Sequence, residues 1–388
     1  MSAPTLPLKA HFQRFFSAEP GRLHFAAHSH HPWPDVTLAA QERAWDDAAR
    51  LADEKWDIVF GEIWPAAQHH IAKELSLPDP RSLVFGPNTH GFVLRILSLL
   101  PSRARIVTTD SEFHSFERQL RRLEEDGSVE VERVPSQPFA TFEERFVAAV
   151  RGKRCDLVFF SQVFFNSGAA VRDVEGLVSA LPDGPLVVVD GYHGFLARPT
   201  SLARVADRAF YVAGGYKYAM SGEGACFLHV PPSAPKRPAN TGWFAAFGAL
   251  ENAGKGVPYA EDGLRFAGAT FDVSGLYRFD AVMRWREKLG LTTAHSLAHS
   301  HALQERLVDS LETTPTPLSA RELVVPVEDS HRGHFLTFRR PDARELSAKL
   351  KSRRVVTDAR DDRLRFGFGV YQDASDVDRL VAQLRALS

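Results

Sequence analysis

Cysteine is nearly missing from this chain: Cys155 and Cys226 are two in 388 residues. Two thiols cannot make a disulfide framework, so a reducing, cytoplasmic setting is expected. An excess of one charge is missing too. Lys plus Arg number 47 and Asp plus Glu 48, a formal net charge of −1 with histidine neutral. That balance predicts no nucleic-acid partner and no anionic membrane. No apolar run reaches the roughly 18–20 residues of a membrane span, and MSAPTLPLKAHFQRFF has no apolar core of a secretory signal. Internal repeats and low-complexity tracts are lacking, as are a G-x-S-x-G elbow and a G-x-G-x-x-G turn after a first strand. The string GALENAGKG imitates a phosphate loop, but five residues separate its glycines and no Ser or Thr follows Lys255.

What is present fits a globular protein, with 44% hydrophobic and 24% charged residues. At roughly 100–200 residues per domain, the length predicts two. Between about 80 and 230, the β-rich runs SLVFG, RIVTT, CDLVFFSQV, PLVVVD, AFYVAGG and ACFLHV alternate with stretches of helical spacing. Continuous apolar runs such as LVVV predict strands buried on both faces, hence a mainly parallel sheet covered by helices. The expected fold is α/β: a three-layer α/β/α large domain over 41–280 and a smaller C-terminal α+β domain over 281–388. Residues 1–40 are expected to pack on the small domain or a partner. In the C-terminal part, ELVVPVE and HFLTFRR read as strands, and Asp342 with Glu345 as a helix capping box.

The densest chemistry lies in PLVVVDGYHGF and AFYVAGGYKYAMSGEGACF. Asp190 ends a predicted central strand, where ligands of open α/β sheets gather. Lys217 lies between Tyr216 and Tyr218, with Gly214 and Gly215 before it and Gly222 and Gly224 after. In an apolar setting a lysine loses solvation, its pKa falls, and the neutral amine becomes a nucleophile. Read singly, Asp190 is a strand-end cap and Lys217 a surface-loop lysine.

Together, D-x-x-H after a buried strand and then G-Y-K-Y with G-x-G resemble the fold-type I pyridoxal 5′-phosphate (PLP) enzymes. More narrowly they resemble the class V aminotransferase group and its kynureninase branch. The resemblance implies that Asp190 pairs with the pyridinium nitrogen, with His193 beside it under the ring. It implies that Lys217 carries PLP as a Schiff base and moves protons at Cα and Cβ. It places Tyr216, Asn88 and Thr89 at the phosphate, the last two at a helix N-terminus, with Trp243 of N-T-G-W-F also there. Phe113, or else His114, would cover the PLP face. Thr270 in R-F-A-G-A-T would be lent by a neighbouring subunit, implying a homodimer. Arg365 in R-L-R-F-G-F-G would fork onto the substrate carboxylate, while Arg360 and Arg363 read as solvated strand-end charges.

Departures from the family touch the substrate. Phe165 stands where a polar side chain usually reaches the PLP 3′-oxygen, leaving Asn166 or Ser167 to serve. ATFD, with Phe271 and Asp272, replaces a GTPP-like stretch. The loop AHSHHPW offers His28, Ser29, His30 and His31 to a different substrate. The expected activity is therefore action on an L-amino acid with kynureninase-like cleavage at the side chain, by Cβ–Cγ hydrolysis or β-elimination. The alternatives are a class V aminotransferase and a non-catalytic binding protein of the same fold. Cys155 and Cys226 read as core thiols, outside the C-terminal loop that carries a desulfurase cysteine. His295, His299 and His301 lack a carboxylate or cysteine partner, so no metal site is expected.

Overall fold

The computed structural model describes residues 8–252 and 256–387, with the side chains of 249–252 left aside; Lys255 lies outside them. Its strands are β1 (Leu23–His24), β2 (Leu83–Gly86), β3 (Ala104–Thr109), β4 (Val129–Val134), β5 (Leu157–Ser161) and β6 (Leu186–Asp190). They continue as β7 (Ala209–Ala213), β8 (Cys226–His229), β9 (Phe335–Arg339), β10 (Val355–Val356), β11 (Asp358–Arg360) and β12 (Arg363–Gly367). The central sheet runs β2-β8-β7-β6-β5-β3-β4. All its neighbours are parallel except β8, which is antiparallel to both β2 and β7.

The apolar runs explain this layer. Every residue of β5 and β7 is buried, as is the middle of β6, because helices cover both faces. The helix His114–Glu125 shows how. It is rich in charge and buries only Phe116 and Leu120, and Phe116 stacks on Phe159 of β5 at 3.6 Å. Each such buried ring contributes roughly 1.5–3 kcal/mol. The result is the three-layer α/β/α arrangement with a mainly parallel sheet.

A second apolar cluster joins Leu307, Phe338, Leu350, Phe366 and Leu380 to Leu23 and Phe25. Its sheet is β11-β12-β9, antiparallel, and β1 pairs in parallel with β10. The N-terminal chain is thus stitched to the C-terminal strands. Ala26 continues the stitch by bridging Gly367, which carries residues 28–31 to the centre of the molecule, where the His31 N–H donates to the Tyr216 carbonyl at 3.1 Å.

Two local expectations need correction. ELVVPVE is not a strand: a short turn over Ala320–Glu322 leads to a single bridge, Leu323 to Phe338. Pro326, lacking an N–H, cannot extend a ladder there. Asp342 caps no helical N–H; its carboxylate forks onto Arg340 at 2.6 and 2.9 Å, and Glu345 pairs with Lys349. Capping boxes form instead at Ser319 with Glu322 and at Asp373 with Asp376.

Candidate active site

Parallel strands β5 and β6 end side by side at Ser161 and Asp190, in register, and β7 runs on into the turn that carries Lys217. These carboxyl ends form the crevice where α/β sheets bind ligands. The Asp190 carboxylate accepts the Tyr192 N–H at 2.8 Å. Burial raises its pKa to about 6, opposed by that N–H and by Lys217.

The Lys217 ammonium is buried, donates to the His28 carbonyl at 2.9 Å, and lies 5.2 Å and 5.6 Å from the ring centres of Tyr216 and Tyr192. Burial first, then the charge of Arg365, lowers it to about 7, with Asp190 pulling the other way. An amine so placed is half neutral near neutral pH and so nucleophilic. His193 is buried with its Nδ1 unpartnered, and burial followed by Lys217 holds its ring neutral. The glycines before Lys217 serve packing rather than ligand approach: a Cβ on Gly214 would run into Tyr192 Oη and Cys226 Sγ, and one on Gly215 into Ser221.

A cleft of ≈ 1070 Å³ opens above this turn, lined among others by Asn88, Thr89, Phe113, His114, Tyr192 and Tyr216. Asn88 Oδ1 caps the helix Thr89–Leu97 by accepting the Gly91 N–H at 2.9 Å, leaving the helix mouth, with its positive dipole end, facing the cleft. Phe113 and His114 both line it, and both pack edge-on against Phe165.

Arg365 is buried and spoken for. Its guanidinium donates to the Phe165 carbonyl and to Asp358, and its Nε has no partner. His28 stacks on Phe335 at 4.6 Å, with Nε2 at an ion-pair distance of 3.5 Å from Asp358. Burial lowers His28 to about 4. Burial works against the Asp358 carboxylate, yet His28 and Arg365 hold it well below the usual range.

The rest of the histidine loop diverges. His30 stacks on Tyr216 at 4.9 Å, with Ser29 on its other side, whereas His31 is buried against Tyr371 and bonded to the Pro32 carbonyl. Asn166 donates to Ser111, and Ser167 accepts the Ala169 N–H. Trp243 is 45% exposed and is not among the cleft residues. Thr270, Phe271 and Asp272 line a separate hollow with Trp45 and Trp56. His295, His299 and His301 each face a backbone carbonyl.

Sequence reasoning missed two acids. Asp358 ties Arg365 and His28 together; its only signal was its place two residues before Arg360. Glu112 lies buried against Ser161, the residue paired with Asp190, and accepts from Thr109 Oγ1 at 2.6 Å, Ser161 N at 3.1 Å and Ser161 Oγ at 2.6 Å.

A buried strand-end acid, a buried lysine near neutrality and an unpartnered histidine nitrogen, next to a cleft that a helix mouth faces, define a PLP-dependent enzyme of fold type I. The chain belongs to the aminotransferase class-V family, whose model matches residues 57–380, and PLP is its cofactor. It is 28% identical over 379 residues to isopenicillin N epimerase of Streptomyces clavuligerus, covering 90% of this chain and 92% of that one. Kynureninase of Deinococcus radiodurans is 29% identical over 240 residues, 60% of this chain and 56% of that one. A cysteine desulfurase from Thermococcus onnurineus shares the fold with a TM-score of 0.77 at 17% identity, covering 100% of this chain and 99% of that one. The relatives are enzymes, which sets aside the non-catalytic alternative. No helix among the described residues is long and apolar enough to cross a membrane.

Proposed function

We propose that the enzyme acts on an L-amino acid and cleaves its side chain at or beyond Cβ, by Cβ–Cγ hydrolysis or β-elimination. The observation that carries the Schiff-base chemistry is the Lys217 amine, buried, near neutrality and within the fields of Asp190 and Arg365; the choice of cleavage rests on the resemblance of G-Y-K-Y and G-W-F to the kynureninase branch. PLP, when bound, supplies an electron sink. Lys217 would hold it covalently, Asp190 would keep its ring nitrogen protonated, and His193 would lie beside it. Asn88, Thr89 and Tyr216 would hold the phosphate, and Phe113 or His114 would cover the ring. The freed Lys217 amine then takes the proton at the substrate Cα and returns it at Cβ. Arg365, with His28 and the rim residues Ser29 and His30, would orient the substrate.

Transamination is the second reading and uses the same amine; inversion at Cα, favoured by the epimerase relative, is the third. Domain limits at 40 and 280 are part of the proposal, as are a cytoplasmic location, supported by two unpaired thiols, and a homodimer. The dimer is supported by Trp243 and Thr270, which do not line their own chain's cleft and would complete a neighbour's.

The test is the visible spectrum of the purified holoenzyme against an amino-acid panel including kynurenine and 3-hydroxykynurenine, with product analysis. Alanine, or pyruvate with ammonia, supports cleavage. A 2-oxo acid paired with a new amine selects transamination, and the D-isomer selects inversion.

A further inference from the structure

Strands β11 and β12 lie antiparallel with Asp358 opposite Arg365 and Arg360 opposite Arg363. Residues two apart on a strand share a face, and so do directly paired residues. Asp358, Arg360, Arg363 and Arg365 therefore line one face. With His114, Phe165, Asn166, Asp361 and Asp362, the three arginines border a cavity of ≈ 270 Å³ beside the main cleft.

Like charges directly opposite on a sheet repel, so the Arg360–Arg363 pair is costly unless an anion lies between them. The local anions do not suffice. Asp361 lines the cavity but is paired with Arg344 at 3.1 Å. Asp362 is shared between Arg339 at 3.5 Å and Arg363 at 3.7 Å. Asp358 serves Arg365 and His28 and reaches Arg360 only at 3.7 Å. Among the described residues this is Arg360's one ion-pair contact within 4 Å. Arg363 spends a further donor on the Asn166 carbonyl at 3.3 Å, and Asn166 Oδ1 and Arg365 Nε in the same wall are buried without partners.

The Arg360 charge also reaches the reaction centre. After burial and Arg365, it is among the groups that push Lys217 toward the neutral amine, and after burial it is the next influence lowering His114.

We propose that Arg360, assisted by Arg363, binds a second carboxylate carried on the substrate's side chain, so that the preferred substrates are acidic amino acids. This rests on the amino-acid reading above, with Arg365 on the α-carboxylate side. A planar fork suits that group, and the excess guanidinium charge on the β11–β12 face is what it neutralises.

The experiment titrates holoenzyme absorbance with two isosteric pairs, L-glutamate against L-glutamine and L-aspartate against L-asparagine. Wild type should bind the acid of at least one pair about tenfold tighter than its amide, the size expected of a hydrogen bond to a charged group. Arg360→Gln should bring that ratio close to one, and Arg360→Lys should keep part of it. Arg339→Gln, which removes an equal charge from the exposed end of β9, should keep the full ratio.

Equal binding of acid and amide by wild type overturns the inference. So does an Arg360→Gln variant that weakens both members of a pair alike, which would make Arg360 the α-carboxylate ligand. An equal loss of ratio in Arg339→Gln also overturns it, by showing only a distant charge effect. A spectrum that responds to no amino acid overturns the parent reading and takes this one with it; a response without acid preference overturns this one alone.

Discussion

Glu112→Gln isolates a proton that the sequence hides. Burial raises the Glu112 pKa from 4.5 to about 8, with the Ser161 and Thr109 hydroxyls opposing the shift, so the folded protein carries a neutral acid there at pH 7. The unfolded chain releases that proton near the ordinary carboxyl pKa. Because the folded pKa is the raised one, its stabilising contribution is complete below about 4.5 and is lost as pH rises to about 8. Between pH 6 and pH 8 the unfolded state binds no proton at this group and the folded state binds one. Stability then falls by about 1.4 kcal/mol per pH unit, more slowly as pH 8 is approached, or about 2 kcal/mol over the interval. Glutamine is a neutral isostere that fits the same partners. Its Oε1 can accept from Thr109 Oγ1 and Ser161 N, and its amide can donate to Ser161 Oγ, whose hydroxyl is free to turn. Measured from their difference at pH 6, the variant should gain on wild type by about 2–3 kcal/mol more at pH 8 to 9, and the two should converge only toward pH 4.5. Urea denaturation midpoints of both proteins at each pH unit from 6 to 9 read this difference directly. Parallel curves would refute the neutral buried acid.

Three substitutions test the centre of the site. Lys217→Ala should abolish covalent attachment of the cofactor after borohydride reduction; a labelled variant in the mass spectrum rejects Lys217. Asp190→Asn should still bind PLP but lose most turnover, and near-normal turnover would sink the ring-nitrogen role. Arg365→Ala should raise KM for amino acids and, by leaving Asp358 and the Phe165 carbonyl without its guanidinium, lower the unfolding free energy by about 3–5 kcal/mol; an unchanged KM moves carboxylate recognition elsewhere.

The sheet was legible because its strands are buried on both faces, which writes them as unbroken apolar runs such as LVVV and AFYVA. Asp190 and Lys217 were legible because chemistry-bearing residues interrupt those runs at fixed spacing. ELVVPVE misled because its composition is strand-like while Pro326 denies it a ladder. Asp358 and Arg360 were hidden for a different reason. Their meaning depends on a hairpin register that pairs them with Arg365 and Arg363, and on Phe335 and His28, which approach from remote parts of the chain. Glu112 was invisible since its partner Ser161 is 49 residues away, and nothing local marks an acid as buried.

Glu112 and Asp190 show how one sheet edge can keep two carboxyls in different states. Asp190 ends β6 and Glu112 follows the end of β3, with β5 and its Ser161 between them, and burial raises both. Asp190 has a cationic neighbour in Lys217 as well as the Tyr192 N–H, and stops at about 6. Glu112 has only neutral donors around it, with the Asp190 charge adding repulsion, and reaches about 8. At neutral pH Asp190 is therefore the ionised one. Like charges so close resist joint ionisation, so a protonated Glu112 leaves Asp190 free to carry the charge that a protonated ring nitrogen requires. Replacing Glu112 by a permanently neutral side chain preserves that division. Glu112→Asp keeps the acid but withdraws it from Ser161 and Thr109, so it should lose the fixed proton and, with it, hold Asp190 less firmly in the ionised state. A pH profile of holoenzyme turnover whose acidic limb moves in Glu112→Asp and stays in place in Glu112→Gln is the expected signature; limbs that move alike in both variants would show that Glu112 merely fills space.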